Sequence, residues 1–445
     1  MKVLVVCLGL KPARHFSLFD QKLLESNFDI KRVVVASTER MKKYKDLIPD
    51  AFEQLITNWT PRDQSTFNKI MLFFRTISNK SFRSHSIHWL RFAIFGNENG
   101  ALNLKFALTE SYRMLYFTIK YLKRPLSTIY KICREGCISS DMIRFRGNDE
   151  MMICKVLESE KPDLVIFQST LSELTLYNIL NGLHNLACPF LLIVDSWDNI
   201  GTRPILPKEV NRFLVQSIQQ ILIAEEVYGL QTSQIELFGT PRIPQIREAI
   251  DLRRKSFLKI GYLQGLPADD LELNITNLCQ AMEVFLHSQG VYTEFDIIIR
   301  AYPIKTEKVY SSVFSISKQF GERVKLQNLE CSLEDLFKSV DFVVSEITTA
   351  GIESACAGLP TVFIASNSQN IYMNGERLLR SFHSIDLEPK GFHVLRGVSL
   401  REDVKKLHEI IFNYKEPDLS FFVHTDDNTS ITSRLIEYIN AILHK

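Results

Sequence analysis

Apolar runs that alternate with segments of helical periodicity fill much of the first half of the chain and predict a series of strands and helices. Four of these runs are KVLVVCLGL from residue 2, IKRVVVAST from residue 30, PDLVIFQST from residue 162 and CPFLLIVDSWDN from residue 188. Continuous apolar strands separated by helices are typical of a parallel sheet that is covered on both faces. The last two runs end in polar residues, and the carboxyl ends of parallel strands are where such sheets bind ligands.

A second series of the same kind begins after residue 257. Its apolar runs are LKIGYLQG, FDIIIRAYP, RVKLQN, VDFVVSEI and PTVFIAS. Two such series predict an α/β fold with two Rossmann-like, doubly wound domains that face each other across a cleft. We expect residues 1–245 to form the N-terminal domain, residues 246–425 the C-terminal domain and residues 426–445 a last helix.

Residues 66–146 break this rhythm and are expected to form a basic helical insert in the N-terminal domain. Between residues 69 and 134, twelve Lys and Arg residues stand against only two acids, so this segment carries +10 while the whole chain carries +2. Apolar residues recur there at helical spacing. They are Phe67, Ile70, Phe74, Ile77, Leu108, Tyr112, Leu115, Ile119 and Leu122. Two interpretations stay open: a helix pair that packs these stripes onto the domain, or contact with an anionic membrane surface or acceptor.

The overall composition narrows the class of protein. A net charge of +2 predicts no nucleic-acid partner. The eight cysteines form no C-x-x-C pair, so we expect reduced cysteines and no metal site. The first apolar run is short and is expected to be a strand rather than a leader peptide, and no run approaches the roughly 20 residues that a membrane helix needs. These features predict a cytoplasmic protein and leave contact with the inner face of the cell membrane open.

The stretch SEITTAGIESACAGLP, residues 345–360, predicts a loop and a helix directly after a buried strand. The amino end of a helix at the carboxyl edge of a sheet binds anions, so we expect Thr348, Thr349 and Gly351 to hold phosphate oxygens. Glu353 lies further along the same helix and is expected to accept hydrogen bonds from a ribose diol. An ordinary capping box is the weaker explanation, because it needs a Glu three residues after its Ser or Thr.

The sequence DSWDN, residues 195–199, follows another strongly apolar strand. Asp195, Asp198 and Asn199 offer oxygens to sugar hydroxyls, and Trp197 offers a flat face on which a sugar ring can stack. The alternative is ordinary turn chemistry, in which Asp and Asn end the strand and the Trp ring packs underneath. The position of the motif at the expected edge of the cleft favours a sugar site.

Three stretches together resemble a known group of enzymes. Residues 332–364 resemble the donor-binding signature of glycosyltransferases with the two-Rossmann GT-B fold, in which a Ser/Thr-rich loop holds the nucleotide diphosphate and a glutamate holds the ribose. FDIIIRAYP resembles the RPHP strand end of bacterial surface-polysaccharide and polyol-phosphate transferases, with Tyr302 where that pattern has His. VDSWDNIGTR resembles the SWDN element of bacterial capsule biosynthesis proteins, and LFGTPRIPQI is similar to the GTP segment that follows it.

The resemblance implies glycosyl transfer, which requires a base for the acceptor hydroxyl and positive groups for the leaving diphosphate. The candidate bases are His15, Asp195 and Asp198. Arg300 is the first candidate for the cation, followed by Arg242. The sequence contains no D-x-D motif, so we expect neither a bound metal nor a cofactor apart from the nucleotide-sugar substrate.

The sequence therefore predicts a metal-independent glycosyltransferase that moves a sugar from a nucleotide-activated donor to a surface polysaccharide or a lipid-linked acceptor. Inversion at the anomeric carbon is favoured, because Glu346 and Glu353 do not match the spacing of one large retaining group. The alternatives are a polyol-phosphate transferase, a sugar-nucleotide 2-epimerase, or a non-catalytic scaffold subunit of a capsule assembly complex. Tyr302, in place of His, argues against the two alternative enzymes.

Overall fold

The structure is a computed structural model in which two units, each with its own parallel sheet, can be described. The residues described are 1–43, 49–57, 59–78, 104–121, 127, 130–131, 134, 137–138, 150–169, 171, 175–176, 179–180, 188–196, 200, 206–207, 210–241, 252, 257–265, 271–288, 294–301, 306–328, 331–346, 348–364, 387–388, 390–395, 400–424 and 428–444. The expected pair of Rossmann-like domains is confirmed by these two sheets.

Unit 1 is built on a seven-stranded sheet. Its strands are β1 (Lys2–Leu8), β2 (Asp29–Ser37), β3 (Glu53–Thr57), β5 (Leu164–Ser169), β6 (Phe190–Val194), β8 (Arg212–Val215) and β9 (Ile235–Leu237). A separate two-stranded sheet pairs β4 (Cys137–Ile138) with β7 (Leu206–Pro207). The order in the large sheet is β3-β2-β1-β5-β6-β8-β9, and all neighbours are parallel. After β3 the strands are added on the other side of β1, so the order reverses between β1 and β5. This position is the switch point of a doubly wound fold.

Helices cover both faces of this sheet. They are α1 (Leu10–Phe16), α2 (Gln21–Asn27), α3 (Thr38–Lys43), α4 (Pro61–Ser78), α5 (Leu104–Tyr121), α6 (Glu150–Glu160), α7 (Ile218–Tyr228) and the last helix of the chain, α13 (Asn428–Leu443). Alternate residues of β1 point into different cores: Val5 packs with α1, α2 and α13, whereas Val6 packs with α6 and α7. Burial on both faces explains why the strand sequences are apolar throughout rather than alternating.

Unit 2 repeats the same plan with six parallel strands. They are β10 (Phe257–Leu263), β11 (Glu294–Arg300), β12 (Val324–Leu326), β13 (Phe342–Glu346), β14 (Thr361–Ile364) and β15 (His393–Leu395). The order is β12-β11-β10-β13-β14-β15, so the switch point lies between β10 and β13. The helices of this unit are α8 (Leu271–Ser288), α9 (Thr306–Phe320), α10 (Leu333–Ser339), α11 (Thr349–Cys356) and α12 (Leu400–Asn413). Helices α8, α9 and α12 pack on one face of the sheet, and α10 and α11 pack on the other.

The basic segment contributes α4 and α5, which pack against each other in unit 1. The buried Phe117 ring of α5 lies 6.4 Å from the ring of Phe67. Arg75 is fully buried, and its guanidinium donates hydrogen bonds to the carbonyl oxygens of Val227 and Arg134. One cation of the segment is therefore a structural tie between α4 and the end of α7, whereas the sequence had suggested only a solvated or ligand-binding charge.

Two further properties of the described residues concern membrane spans and metal sites. No described helix is long and apolar enough to cross a membrane. Within the same part of the chain, no group of three or more His, Cys, Asp or Glu side chains is arranged to hold a metal ion.

Candidate functional site

The first candidate site lies at the switch point of unit 1, where the turn after β1 begins α1. Gly9 caps this helix with a φ of 112°, a backbone conformation that favours glycine, and so allows the helix to start directly after the strand. His15 is in the last turn of α1. Asp195 immediately follows β6, and its backbone N–H donates to the carbonyl oxygen of Ser169 at the end of β5. Three consecutive elements of the sheet edge thus converge on this point.

The structure brings together two of the predicted bases, His15 and Asp195. Nδ1 of His15 lies 2.6 Å from Oδ1 of Asp195. The Asp195 side chain has 0% of its surface exposed, whereas the His15 side chain keeps 12%. A buried carboxylate that accepts from Nδ1 orients the imidazole and stabilises its protonated form.

Buried glutamines hold this pair in place. Nε2 of Gln168 donates to Oδ1 of Asp195 over 3.2 Å. The loop after β6 is fixed from the other side, because Gln216 donates to the carbonyl oxygen of Val194 and Gln220 donates to that of Ser196. Gln168 and Gln216 stand in the strand endings FQS and LVQS, so the sequence does show polar residues there. Their contacts with the end of β6 depend on the strand order, which the sequence does not display.

Cys7 of β1 is a fully buried thiol whose electrostatic surroundings include Asp195. Burial, followed by the negative charge of Asp195, raises the pKa of the Cys7 thiol well above its ordinary value. A thiol that remains protonated is a poor nucleophile.

Four other predicted site residues lie outside the described residues. They are Trp197, Asp198, Asn199 and Arg242.

The second candidate site lies at the switch point of unit 2, where β13 leads into α11. Thr348 is the N-cap of this helix, and its hydroxyl accepts a hydrogen bond from the backbone N–H of Gly351. Oγ of Ser345 lies 3.0 Å from Oγ1 of Thr348 and also donates to the carbonyl oxygen of Glu346. Because Ser345 has one hydroxyl proton, Thr348 is the donor in their mutual contact. The Thr348 hydroxyl therefore builds the amino end of the helix, where Thr349 is the first helical residue.

Gly351 is required by packing. A Cβ at this position would lie 2.6 Å from Cε1 of Phe363 and 2.6 Å from Oγ of Ser345. Only glycine lets α11 approach β13 and β14 this closely, and the third glycine of a Rossmann fingerprint has the same use. Its predicted contact with a phosphate remains a prediction.

Glu353 occupies the second turn of α11 and is buried, with 7% of its surface exposed. Burial and the neighbouring Glu353 carboxylate raise the pKa of the Cys356 thiol to about 12. The sequence predicts a carboxylate that opens toward a ligand. The structure buries this carboxylate instead, and its contact with a ribose stays a prediction.

Glu346 is the buried acid that the sequence analysis assigned no role. Its carboxylate accepts hydrogen bonds from the Tyr262 hydroxyl at 2.7 Å, from the Gly265 backbone N–H at 2.7 Å and from the Asn274 side chain at 3.3 Å. These donors come from β10, from the loop that follows it and from α8. Three hydrogen bonds offset the cost of burying the charge and tie the two strands of the switch point to one loop.

Gly265 brings that loop against the amino end of α11. A Cβ on Gly265 would lie 3.0 Å from Cγ2 of Thr348 and 3.1 Å from Oε2 of Glu346. The backbone after β10 and the first turn of α11 therefore form one surface at the carboxyl edge of the sheet. The first N–H groups of a helix have no acceptor inside the helix, so such a surface is suited to a diphosphate.

Arg300 lies at the same level of the sheet. Leu263 of β10 is the register partner of both Arg300 in β11 and Ser345 in β13. Register partners in a parallel sheet point to the same face, and two strand spacings separate the Arg300 and Ser345 backbones by about 10 Å. Nη1 of Arg300 donates to Oε1 of Gln327 at 2.6 Å and to the carbonyl oxygen of Cys331 at 2.9 Å. These bonds hold the predicted cation toward Gln327, after β12, and Cys331, before α10; its contact with a diphosphate stays a prediction.

Comparison with solved structures identifies the architecture. The UDP-GlcNAc 2-epimerase of Methanocaldococcus jannaschii is 11% identical, with a TM-score of 0.53 over 98% of this chain and 100% of that chain. MurG of Acinetobacter baumannii is 10% identical, with a TM-score of 0.51 over 99% of each chain. The UDP-GlcNAc 2-epimerase of Neisseria meningitidis bound to UDP-GlcNAc is 11% identical, with a TM-score of 0.51 over 99% and 100%.

No protein-family model and no curated relative matches the sequence. The similarity to solved structures therefore establishes the fold, which is of the GT-B type. In these three comparisons the similarity covers 98–99% of this chain.

Proposed function

We propose that this chain is a metal-independent glycosyltransferase that uses a nucleotide-activated sugar. The observation that carries the proposal is the hydrogen bond between His15 and the buried Asp195 at the switch point of unit 1. A histidine oriented by a carboxylate, at the edge of the sheet where ligands bind, is an arrangement that removes a proton from a hydroxyl. Glycosyl transfer requires this step of its acceptor.

We assign the general base to His15 and a positioning role to Asp195. Asp195 is fully buried and its Oδ1 is already bonded to His15, so it holds the ring and stabilises the imidazolium that forms. The acceptor oxygen attacks the anomeric carbon, its proton passes to Nε2 of His15, and the bond to the nucleoside diphosphate breaks. This single displacement inverts the anomeric configuration. Trp197, Asp198 and Asn199 of the SWDN element are proposed to bind the sugar or acceptor on the same side.

We assign the donor to unit 2. Its diphosphate is proposed to bind on the surface formed by Gly265 and the first turn of α11, with Thr349 contributing its hydroxyl. Arg300 and Arg242 are proposed to balance the charge of the leaving diphosphate, and Glu353 to bind the ribose. Glu346 does not contact the donor in this account; it keeps the Gly265 loop in the conformation that the diphosphate needs.

A polysaccharide or lipid-linked acceptor is proposed from the resemblance to surface-carbohydrate enzymes. Contact between residues 69–134 and an anionic membrane surface is part of the same proposal, because a lipid-linked acceptor lies at such a surface. This arrangement is consistent with the excess of cations in that segment.

A sugar-nucleotide 2-epimerase is the second candidate function. The observation that favours it is that the epimerases and MurG, a glycosyltransferase, have nearly the same TM-scores with this chain. The epimerase of Neisseria meningitidis binds UDP-GlcNAc, and a fold of this type occurs in the epimerases and in MurG, so the fold does not choose between the two reactions.

The test is a panel of UDP-, GDP-, CDP- and CMP-activated sugars, incubated with the protein with and without lipid-linked and glycan acceptors. The transferase proposal expects a nucleotide to be released only with one donor and to rise when an acceptor is added. A change of configuration at C2 without release of nucleotide would establish the epimerase instead. Failure of every nucleotide to bind, judged by thermal shift, would favour a scaffold role and overturn both enzyme proposals.

A further inference from the structure

The outward side of α5 carries a continuous apolar surface. Its five side chains are each between 51% and 69% exposed. They are Leu108, Tyr112, Leu115, Tyr116 and Ile119, which we call the α5 face. Their spacing along the sequence places them on one side of the helix, about 100° wide. The sequence-based expectation that Leu108, Tyr112, Leu115 and Ile119 pack onto the domain is therefore wrong. On α4, Phe67 and Ile70 are buried as expected, whereas Ile77 is 42% exposed.

The opposite side of α5 is firmly attached to unit 1. Glu110 is 3% exposed and accepts hydrogen bonds from Lys69, at 2.6 Å, and from Arg113. Phe117 is buried and its ring lies 6.2 Å from that of Trp59. Burial raises the pKa of Glu110, but the hydrogen bonds and charges of Lys69 and Arg113 outweigh this and leave it lowered, so the acid remains ionised inside the helix pair. The α5 face is thus presented by an anchored helix.

Within α5 itself, the exposed charged side chains are basic. Glu110 is the one acid in the sequence of α5, and it lies on the buried side. Lys105 and Lys120 are exposed and lie in the first and the last turn of the helix. Nζ of Lys120 lies 5.4 Å from the centroid of the Tyr116 ring, and the rings of Tyr112 and Tyr116 stack at 6.4 Å. The segment that contains α5 has an excess of ten cations between residues 69 and 134.

The combination of exposed apolar side chains and lysines on α5 fits a lipid surface better than a second copy of the chain or a nucleic acid. A second copy of the chain seated on the same face would bring the lysines of both copies together, which is unfavourable. A nucleic acid would meet five large apolar side chains at the centre of the surface. An anionic lipid surface satisfies all parts of the α5 face: apolar side chains enter the acyl boundary, tyrosine hydroxyls stay at the headgroups, and lysines meet phosphates.

We propose that α5 lies flat on an anionic membrane and inserts Leu108, Leu115 and Ile119 between the lipid headgroups, with Tyr112, Tyr116, Lys105 and Lys120 at the interface. The helix rests on the surface and does not cross it. This inference narrows the membrane contact in the proposed function to one helix face. It rests on that function only for its biological purpose, since lipid binding needs neither a donor nor a transfer reaction.

The experiment is co-sedimentation of the full chain with vesicles of phosphatidylcholine alone or mixed with phosphatidylglycerol, at low and at high salt. We expect binding to the anionic vesicles that weakens with salt and little binding to neutral ones. The double variant Leu115→Ser/Ile119→Ser should reduce the bound fraction at least about tenfold, because the apolar area that enters the bilayer is lost. Lys105→Gln/Lys120→Gln should remove much of the salt-sensitive part.

Two controls keep the result interpretable. Phe314→Ser removes an equally exposed aromatic side chain from α9 in unit 2 and should leave vesicle binding unchanged. Thermal unfolding and nucleotide thermal shifts of each variant separate loss of lipid binding from misfolding and from failure of the transferase proposal. Unchanged vesicle binding in Leu115→Ser/Ile119→Ser would overturn the inference. So would a dimer in solution that the same variant dissociates, because a second copy would then occupy the face.

Discussion

Nδ1 of His15 and Oδ1 of Asp195 are 2.6 Å apart, although 180 residues separate them in the sequence. The contact exists because β1 and β6 end at the same edge of the unit 1 sheet, with β5 between them. Asp195 is buried and His15 reaches the surface of the unit. Because the Asp195 carboxylate is buried and the His15 ring is partly exposed, we assign the base to His15 and a positioning role to Asp195.

If Asp195 acts by positioning His15, substitutions of the two residues should not have additive effects on turnover. Asp195→Asn keeps the volume but removes the charge that orients and stabilises the imidazolium, and turnover should fall on the order of 10²-fold with little change in donor binding. The double variant with His15→Ala should be no worse than His15→Ala alone, because the two residues act as a unit. The measurement is nucleotide release under donor saturation.

Asp163→Asn is the matched control for this prediction, since Asp163 is exposed just before the opposite, amino end of β5. Its turnover should equal that of the unmodified chain. Additive losses in the double variant would show that Asp195 acts through something other than His15.

Glu346 should govern the stability and the nucleotide affinity of unit 2 together. Glu346→Ala leaves the donors from Tyr262, Gly265 and Asn274 without this acceptor, which is expected to cost about 2–4 kcal/mol in the free energy of unfolding. Glu346→Gln retains one acceptor oxygen and should recover part of the loss. Denaturant unfolding gives the stability, and isothermal titration of the nucleotide that binds gives the affinity. Full stability of Glu346→Ala would contradict the role of this carboxylate as a tie between strand and loop.

Gly351 should be intolerant of any side chain for a steric reason. Gly351→Ala places a methyl group 2.6 Å from Phe363 and Ser345, and overpacking of this kind is expected to cost about 1–3 kcal/mol. Phe363→Leu in the same chain removes the ring atom that clashes and should restore part of the stability. If Gly351→Ala is as stable as the unmodified chain but binds no nucleotide, the glycine serves the ligand and not the packing.

Glu353 provides the test of the ribose assignment. Glu353→Gln keeps the size of the buried side chain and weakens its hydrogen bonds to a diol, so nucleotide affinity is expected to fall about tenfold. The exposed Glu322→Gln in the same unit is the control and should bind normally. The decisive comparison is between a nucleotide and its 2′,3′-dideoxy form. Equal discrimination between the two by Glu353→Gln and by the unmodified chain would remove Glu353 from the ribose site.

The two sheets could be predicted from the sequence because strands that are buried on both faces have continuous apolar sequences. The sequence also singled out His15, Asp195 and the Thr348 region as candidates, since each follows such a run. It did not predict which of these residues meet. That depends on strand order, and β5 comes to lie between β1 and β6 only through crossovers that no local pattern specifies.

Three other features could not be predicted without knowing how the helices and strands pack. Gly351 looked like a phosphate-binding glycine, but its first constraint is the distance between α11 and the sheet. Glu346 gave no signal, because one acid at the end of an apolar strand resembles any strand end. Helical periodicity found the stripe on α5 but not its direction, since a period of 3.6 residues marks a face without saying what covers it.

The role of His15 as the base is tested by the rate of nucleotide release by His15→Ala, measured with a saturating donor and acceptor, together with nucleotide affinity from titration. We expect turnover to fall at least about 10²-fold with unchanged affinity, because His15 takes the acceptor proton and does not hold the donor. His287→Ala, which removes an exposed histidine of α8, should leave both quantities unchanged. Full turnover in His15→Ala would contradict the assignment of this histidine, and with it the transfer mechanism.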